Sequence, residues 1–277
     1  MVLLLGAVAA GAAPQRIVST APSFTETLFA MGAGERVIAV STYCHYPAAV
    51  EKLPRIGTYL QPNVEAIARL KPDLVLVHAE QKATLAQLAG LGIPALALKN
   101  TSLEDTLRTM PQIGAAIGMS AQGATMEKSI RGRLVAIGKR YEGQKPRPLL
   151  FVVGRTPGRL DGLIAVGSGS YLNDLIRAAG GRNVLADSPV AYPSISVEGV
   201  MRLDPDVIVD MGDMAATVGI TEAHRRAVVK LWEGQPAVRA VARKKVFAVA
   251  ADIFVVPGPR VVEAAEAFAQ MLYGGAH

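Results

Sequence analysis

The chain contains residue types that could catalyse a reaction, but their spacing matches no catalytic pattern. Its four histidines are His45, His78, His224 and His277. None has the His-x-x-x-His or glutamate-paired spacing of a catalytic metal site. The segment Gly167-Ser-Gly-Ser170 differs from Gly-x-Ser-x-Gly, the turn that presents a hydrolase nucleophile, and its last serine is better placed to cap the following helix. We therefore expect neither an enzyme nor a catalytic cofactor.

Aromatic residues are scarce, and most of them follow predicted strands. Tyr43 follows the strand predicted over residues 36–40, Phe254 follows the strand predicted over 246–249, and Tyr59 and Tyr192 precede two predicted helices. His45 and His78 each fall just past the C-terminal end of a predicted strand, where ligands collect in parallel α/β sheets. This placement predicts a binding cleft. The alternative is that each ring only anchors its loop.

Composition excludes several other classes of site. Cys44 is the only cysteine, so the chain has no intrachain disulfide and no multi-cysteine metal cluster. The formal charge of +6 is not concentrated in a basic block, and only 5% of residues are aromatic, so no nucleic-acid partner is expected. Beyond the first dozen residues, no apolar run approaches the roughly 20 residues that span a bilayer. We expect a soluble body.

A fifteen-residue segment occurs twice, at 63–77 and at 196–210. In each copy an N-cap residue begins a short helix, and a Pro-Asp turn leads into a buried strand. Each helix has one glutamate in its first turn, Glu65 and Glu198, where a carboxylate stabilises the helix dipole by a few tenths of a kcal/mol. In a chain of 277 residues, this repeat predicts two lobes.

Strands alternate with helices in both halves, so we predict two Rossmann-like α/β lobes with parallel sheets. From Ser120 to about Glu142 apolar residues recur every three or four positions, which predicts one amphipathic helix roughly 33 Å long. The predicted division is an N-terminal lobe at 14–119, a linker helix at 120–143 and a C-terminal lobe at 144–277.

The first residues are typical of a signal peptide. An apolar run from Val2 to Ala10 is followed by small residues that fit a cleavage site, although the usual positive residues before the run are missing. We interpret residues 1–13 as a signal-peptide remnant and predict an exported, periplasmic protein. The alternative is a short buried strand.

Several of these segments resemble the solute-binding proteins of ABC importers whose two lobes are joined by one helix, and among them the vitamin B12 (cobalamin) binders. The resemblance covers about residues 15–272, and its most specific parts lie in 16–19, 40–47, 63–76, 172–183 and 191–198. It implies a monomer that holds its ligand between two lobes and delivers it to an inner-membrane permease dimer.

The resemblance also implies which residues meet the ligand. The position of Tyr43 stacks on the corrin ring in cobalamin binders, and those of Tyr59 and Tyr192 are aromatic there. His78 stands where a larger aromatic residue occurs, and Asp252 and Phe254 match an acidic and aromatic pair on the rim. The implied ligand-binding residues are Tyr43, Tyr59, His78, Tyr192, Asp252 and Phe254.

Other ligands and a docking role follow from the same resemblance. Haem, whose iron a cleft tyrosine or histidine would ligate, is the main alternative to cobalamin, and a ferric siderophore or a corrinoid-using enzyme comes after it. In the family, the glutamates matching Glu65 and Glu198 bind arginines of the two permease subunits. A repeated charge on two lobes suits a twofold-symmetric partner.

Overall fold

The computed structural model describes residues 12–212 and 221–274. These residues belong to two compact units: one contains the chain up to Lys99 and Arg108–Glu127, and the other contains Asn100–Leu107 and the chain from Lys128 onward. Most of the predicted signal-peptide remnant, residues 1–11, lies outside the described residues. Among the helices of the described ranges, none combines the length and the apolar character needed to cross a membrane.

The first unit is built on a sheet of four parallel strands in the order β2-β1-β3-β4. The strands are β1 Ile17–Ser19, β2 Val37–Val40, β3 Leu74–His78 and β4 Ala95–Leu98. Its helices are α1 Pro22–Ala30, α2 Val64–Arg69 and α3 Lys82–Gly90, with 3₁₀ turns at Gly34–Arg36 and Ala48–Lys52. Val18, Val75 and Val77 of the inner strands pack with Ile67 and Leu88 of the helices. A parallel sheet covered by helices favours such β-branched strands.

Two longer helices follow, α4 Leu103–Ala116 and α5 Ser120–Lys139. The amphipathic pattern predicted α5, which ends at Lys139 and contributes residues to both compact units. A division of the chain at single positions, as drawn from the sequence, therefore stays a prediction. The pattern did not predict α4. At Gly114 an added Cβ would lie 2.7 Å from the Met119 carbonyl oxygen and 3.0 Å from the Gly123 Cα, so glycine permits the close approach of these two helices.

The second unit has a mixed sheet in the order β10-β9-β5-β6-β8, with β7 also paired to β5. Its strands are β5 Arg147–Gly154, β6 Leu163–Ala165, β7 Gly181–Asn183, β8 Ser194–Ile195, β9 Val207–Asp210 and β10 Val246–Ala248. Its helices are α6 Tyr171–Ala178, α7 Val197–Leu203, α8 Glu222–Glu233, α9 Arg239–Ala242 and α10 Val261–Tyr273, and a 3₁₀ turn covers Asp252–Phe254.

The predicted parallel pairing holds in the second sheet for β5, β7, β9 and β10. β6 is the exception, because it pairs antiparallel with both β5 and β8. The chain between β5 and β6 is confined to residues 155–162. Because a parallel crossover needs about a dozen residues or more, this connection can only form a hairpin.

The structure confirms the repeat in detail. Asn63 Oδ1 accepts a hydrogen bond from Ala66 N at 2.9 Å, and Ser196 Oγ accepts one from Gly199 N at 3.2 Å, so both predicted N-caps are formed. Both helices are followed by a residue with positive φ, which is Lys71 at 47° in one copy and Asp204 at 41° in the other. The two copies therefore share their cap, their helix and their backbone reversal.

Candidate functional site

The first unit brings together three of the residues that the sequence marked for ligand binding. The ring centroids of Tyr43 and Tyr59 lie 5.7 Å apart, and those of Tyr59 and His78 lie 6.2 Å apart. The imidazole also packs against Phe24, at 4.7 Å. Phe24 is buried, whereas Tyr43 is 53% and Tyr59 39% exposed. We call Phe24, His78, Tyr59 and Tyr43 the ring array; it runs from the core to the surface.

Sheet order explains this grouping. β2 and β3 flank β1 and run parallel to it, so their carboxyl ends lie at the same edge of the sheet. Tyr43 lies in the loop after β2, and His78 is the last residue of β3 rather than the first residue beyond it. Tyr59 lies in the loop before α2.

Hydrogen bonds fix the loops that carry the two tyrosines. Arg55 Nη1 donates to the carbonyl oxygens of Ser41 and Cys44 at 3.2 and 2.6 Å. Gln81 Nε2 donates to the Tyr59 carbonyl oxygen at 2.6 Å. The rings are therefore exposed on backbone that is already held, which lowers the ordering cost of binding a ligand.

Burial lowers the pKa of His78 below its usual value, although the charge of Glu80 acts in the opposite direction. The imidazole is therefore mainly neutral at pH 7. Within residues 12–212 and 221–274, neither ring nitrogen of His78 has a hydrogen-bond partner. In the same residues, every fully buried side-chain nitrogen has such a partner. The imidazole nitrogens are thus open to solvent.

His45 does not join the ring array. Its Nδ1 lies 3.0 Å from Glu51 Oε1, and Glu51 Oε2 also pairs with Arg55 Nη2 at 2.8 Å. The hydrogen bond from His45 is the main cause that lowers the pKa of the Glu51 carboxyl group, followed by the charge of Arg55. His45 and Glu51 therefore stabilise their own loop at its surface.

In the second unit, Tyr192 is 47% exposed and its hydroxyl oxygen accepts a hydrogen bond from Ser170 Oγ at 3.3 Å. Ser170 Oγ also accepts from Leu172 N at 3.3 Å, which confirms its predicted role as the cap of α6. The loop of Tyr192 is fastened to the glycine segment before α6, because Gly167 N donates to the Ala191 carbonyl oxygen at 2.9 Å. An added Cβ at Gly167 would lie 2.0 Å from the Val190 carbonyl oxygen, so only glycine fits there.

The two rim residues taken from the resemblance have other partners. Phe254 is 3% exposed, and its ring packs against Phe151 and Phe268 at 5.8 and 5.3 Å. The Asp252 carboxylate accepts two hydrogen bonds from Arg260, at 2.9 and 2.8 Å. Phe254 therefore lies in the core and not on an exposed surface, a difference that spacing along the sequence does not reveal.

Glu65 and Glu198 are both exposed in the first turns of α2 and α7. A hydrogen bond involving Ser196 lowers the pKa of the Glu198 carboxyl group, so this glutamate stays anionic. Glu198 also borders an open pocket of about 460 Å³. The other side chains and backbone that line it are Leu160, Asp161, Gly162, Leu163, Ser194, Ile195, Ser196 and Val197. Sequence reasoning did not anticipate this pocket, which depends on the antiparallel pairing of β6 with β8.

A buried charged network at the carboxyl ends of β5 and β9 was also missed. Asp210 is 0% exposed; its carboxylate accepts hydrogen bonds from Arg155 Nε at 3.0 Å and from Trp232 Nε1 at 2.7 Å. The signal was present in the repeat, since Asp210 stands where the other copy has Val77. Within the described ranges, no group of three or more His, Cys, Asp or Glu side chains could hold a metal ion.

Comparison with known proteins gives a consistent result over nearly the whole chain. The family model described as periplasmic binding protein matches residues 17–252. A protein of Pectobacterium carotovorum named vitamin B12-binding protein is 32% identical and covers 97% of this chain and 92% of its own length.

Solved structures agree in fold. The periplasmic vitamin B12 binding protein BtuF of Vibrio cholerae has a TM-score of 0.78 and 27% identity, over 95% of this chain and 98% of that one. A periplasmic heme binding protein from Pseudomonas aeruginosa has a TM-score of 0.79 and 26% identity, over 95% and 94% of the two chains.

Proposed function

We propose that the ligand of this chain, which belongs to the periplasmic binding protein family, is cobalamin or a related corrinoid. The chain carries this ligand to an ABC permease dimer. The observation that carries this proposal is the pair of exposed tyrosines, Tyr43 and Tyr59, held on fixed loops at the carboxyl edge of the first sheet. Relatives named as vitamin B12-binding proteins, similar over most of their length, support the choice of ligand. Binding without turnover is part of the proposal.

The physical basis is the fit between flat rings and a flat macrocycle. Tyrosine offers a large rigid surface that loses little conformational entropy on binding, and an aromatic pair contributes about 0.5–1.5 kcal/mol beyond its buried area. Tyr192 presents a comparable exposed ring on the second unit. We propose that Tyr43, Tyr59 and Tyr192 all contact the corrinoid.

The test is a titration of the purified protein with cyanocobalamin, followed by calorimetry and by visible absorbance that co-elutes in gel filtration. Tyr43→Ala should weaken binding by about tenfold, which corresponds to about 1.4 kcal/mol. Tyr46→Ala is the matched control, because Tyr46 is an exposed tyrosine of the same loop outside the ring array. Equal affinities for the wild type, Tyr43→Ala and Tyr46→Ala would contradict the assigned surface, and chemical change of the recovered ligand would contradict simple carriage.

Haem is the second candidate, and the open imidazole of His78 beside two tyrosines is the observation that favours it. The similar fold of the solved heme binding protein supports the same ligand class. A haemin titration distinguishes the two candidates. Haem binding predicts a shift of the Soret band that disappears in Tyr43→Ala or His78→Ala, with no retention of cyanocobalamin.

We further propose that Glu65 and Glu198 dock onto basic residues of the permease. The support is their equivalence, since each is an exposed glutamate at the same position of a repeated helix. Exposed charges of this kind guide the orientation and rate of association more than they add affinity.

The docking test replaces both glutamates by alanine and measures stimulation of the transporter's ATP hydrolysis. Stimulation should be lost while cyanocobalamin affinity changes by less than about twofold. The matched control is the pair Glu35→Ala and Glu233→Ala, which removes two exposed carboxylates outside the repeat. A parallel loss of ligand affinity in the first double variant, or equal loss of stimulation in the control, would contradict the docking role.

A further inference from the structure

His78 is the one member of the ring array with a nitrogen lone pair. Its ring contacts the rings of Phe24 and Tyr59, with centroid distances of 4.7 and 6.2 Å, and these contacts restrict its orientation. β3 fixes its backbone, because His78 pairs with Leu98 in the parallel ladder. The imidazole therefore has a defined position next to the tyrosines that we assign to the ligand.

The same imidazole has no hydrogen-bond partner within the described ranges. Partly buried polar side chains are normally hydrogen-bonded, and histidines that only support a fold usually donate or accept at one nitrogen. His45, for comparison, lies on a neighbouring loop and is paired with Glu51 at 3.0 Å. A packed ring with two open nitrogens is suited to a bond with the bound ligand.

Neutral imidazole is a common metal ligand in proteins. Burial lowers the pKa of His78, so its lone pair is available at neutral pH. A neutral imidazole offers its nitrogen lone pair directly, whereas a tyrosine side chain binds a metal ion through its phenolate oxygen. Among the side chains of the ring array, the imidazole is thus the best donor to a metal.

We infer that His78 coordinates the central metal of the macrocycle, so that the site selects ligands whose metal has an exchangeable axial position. This inference deepens the proposed function and rests on it. On binding, a metal–oxygen bond to one axial water breaks, a metal–nitrogen bond to the imidazole forms, and the water is released. The oxidation state of the metal does not change.

The experiment compares aquocobalamin, whose axial water exchanges, with cyanocobalamin, whose axial cyanide does not. The wild type should bind the aquo form about tenfold more tightly and shift its visible bands to those of a cobalt–imidazole complex. His78→Phe, which keeps a ring against Phe24, should lose the band shift and the preference while its affinity for cyanocobalamin is retained. His224→Phe, on α8 of the second unit and outside the ring array, is the control and should behave as the wild type.

One arm uses only the unaltered protein, so the test does not depend on the folding of a variant. Aquocobalamin whose water has been replaced by free imidazole should bind like cyanocobalamin. Equal affinity of the wild type for all three forms, without a band shift, overturns the inference and leaves corrinoid carriage intact. Binding of none of the corrinoids refutes the proposed function instead, and a haemin arm then decides the inference: an iron–imidazole spectrum that is absent in His78→Phe upholds it, and any other result overturns it.

Discussion

Replacing Asp210 with alanine should destabilise the second unit by about 3–5 kcal/mol, because it leaves a buried guanidinium without its counter-charge. The Arg155 and Asp210 side chains are 3% and 0% exposed, and the Nε to Oδ2 distance is 3.0 Å. The same carboxylate accepts from Trp232 Nε1 at 2.7 Å and from Gly212 N at 2.6 Å. Three donors, on Arg155, Trp232 and Gly212, therefore depend on one side chain.

The magnitude follows from counting what the substitution leaves behind. Removing one partner of a buried ion pair costs about 3–5 kcal/mol, and a buried donor left unsatisfied costs about 1–3 kcal/mol. These contributions are not additive within one network, so the ion-pair figure is the better guide. For a unit of this size, each kcal/mol corresponds to about 2–4 °C in Tm, so a fall of at least about 6 °C is expected.

Trp232 makes the measurement specific. It is the only tryptophan of the chain, it is fully buried, and it bonds directly to Asp210. Its fluorescence therefore reports the unfolding of the second unit without a contribution from the first. Urea unfolding curves of the wild type and Asp210→Ala, followed by this emission, give the difference in the free energy of unfolding.

The matched control is Asp174→Ala, which removes an exposed pair with Arg177 and should cost no more than about 1 kcal/mol. Replacing Asp210 and Arg155 together by leucine should recover part of the loss, since no buried charge then remains. If Asp210→Ala cost no more than Asp174→Ala, the buried pair would contribute nothing and the reasoning would be refuted.

Three further outcomes are expected. Wild-type stability should fall more steeply than that of His78→Phe as pH drops below about 6.5, because the unfolded imidazole then binds a proton that burial disfavours in the folded state; urea midpoints at several pH values measure this. Gly167→Ala should lower both Tm and ligand affinity in thermal unfolding and titration, since the added Cβ would lie 2.0 Å from the Val190 carbonyl oxygen. Its control is Gly132→Ala, where nothing lies within 4 Å of the added Cβ; the higher helix propensity of alanine should raise the free energy of unfolding by up to about 1 kcal/mol. Lys71→Gly should stabilise the first unit by about 1 kcal/mol in thermal unfolding, because it relieves a φ of 47°.

Local chemistry allowed much of the fold to be predicted from the sequence. Asn63 and Ser196 are good N-caps, Pro-Asp turns stop the helices, and apolar β-branched runs form the strands that follow. These signals act within a few residues, so a single sequence contains them. The antiparallel hairpin of β5 and β6 could not be predicted in this way. It depends on which strand lies beside β5, and this is a property of the assembled sheet.

The candidate site could be predicted as a set of loops but not as a set of contacts. Tyr43, Tyr59 and His78 are far apart in the chain, and only the order β2-β1-β3 brings their rings together. Phe254 follows a strand as a ligand-binding ring would, yet it packs into the core against Phe268. Burial is a property of the assembled unit, so spacing could not separate the two outcomes. Contact of the exposed rings with ligand stays a prediction.

The two copies of the repeat differ in an informative way. Glu65 and Glu198 occupy the same exposed position, and both copies pass through a positive φ after the helix. At the end of the following strand the copies diverge: one has the open imidazole of His78, and the other has Met211, which is buried. Equivalent helix starts suit a partner with twofold symmetry. Unequal strand ends have no counterpart in such a partner, so they fit a role other than docking. The same duplicated element can therefore serve docking where its copies agree and ligand selection where they do not.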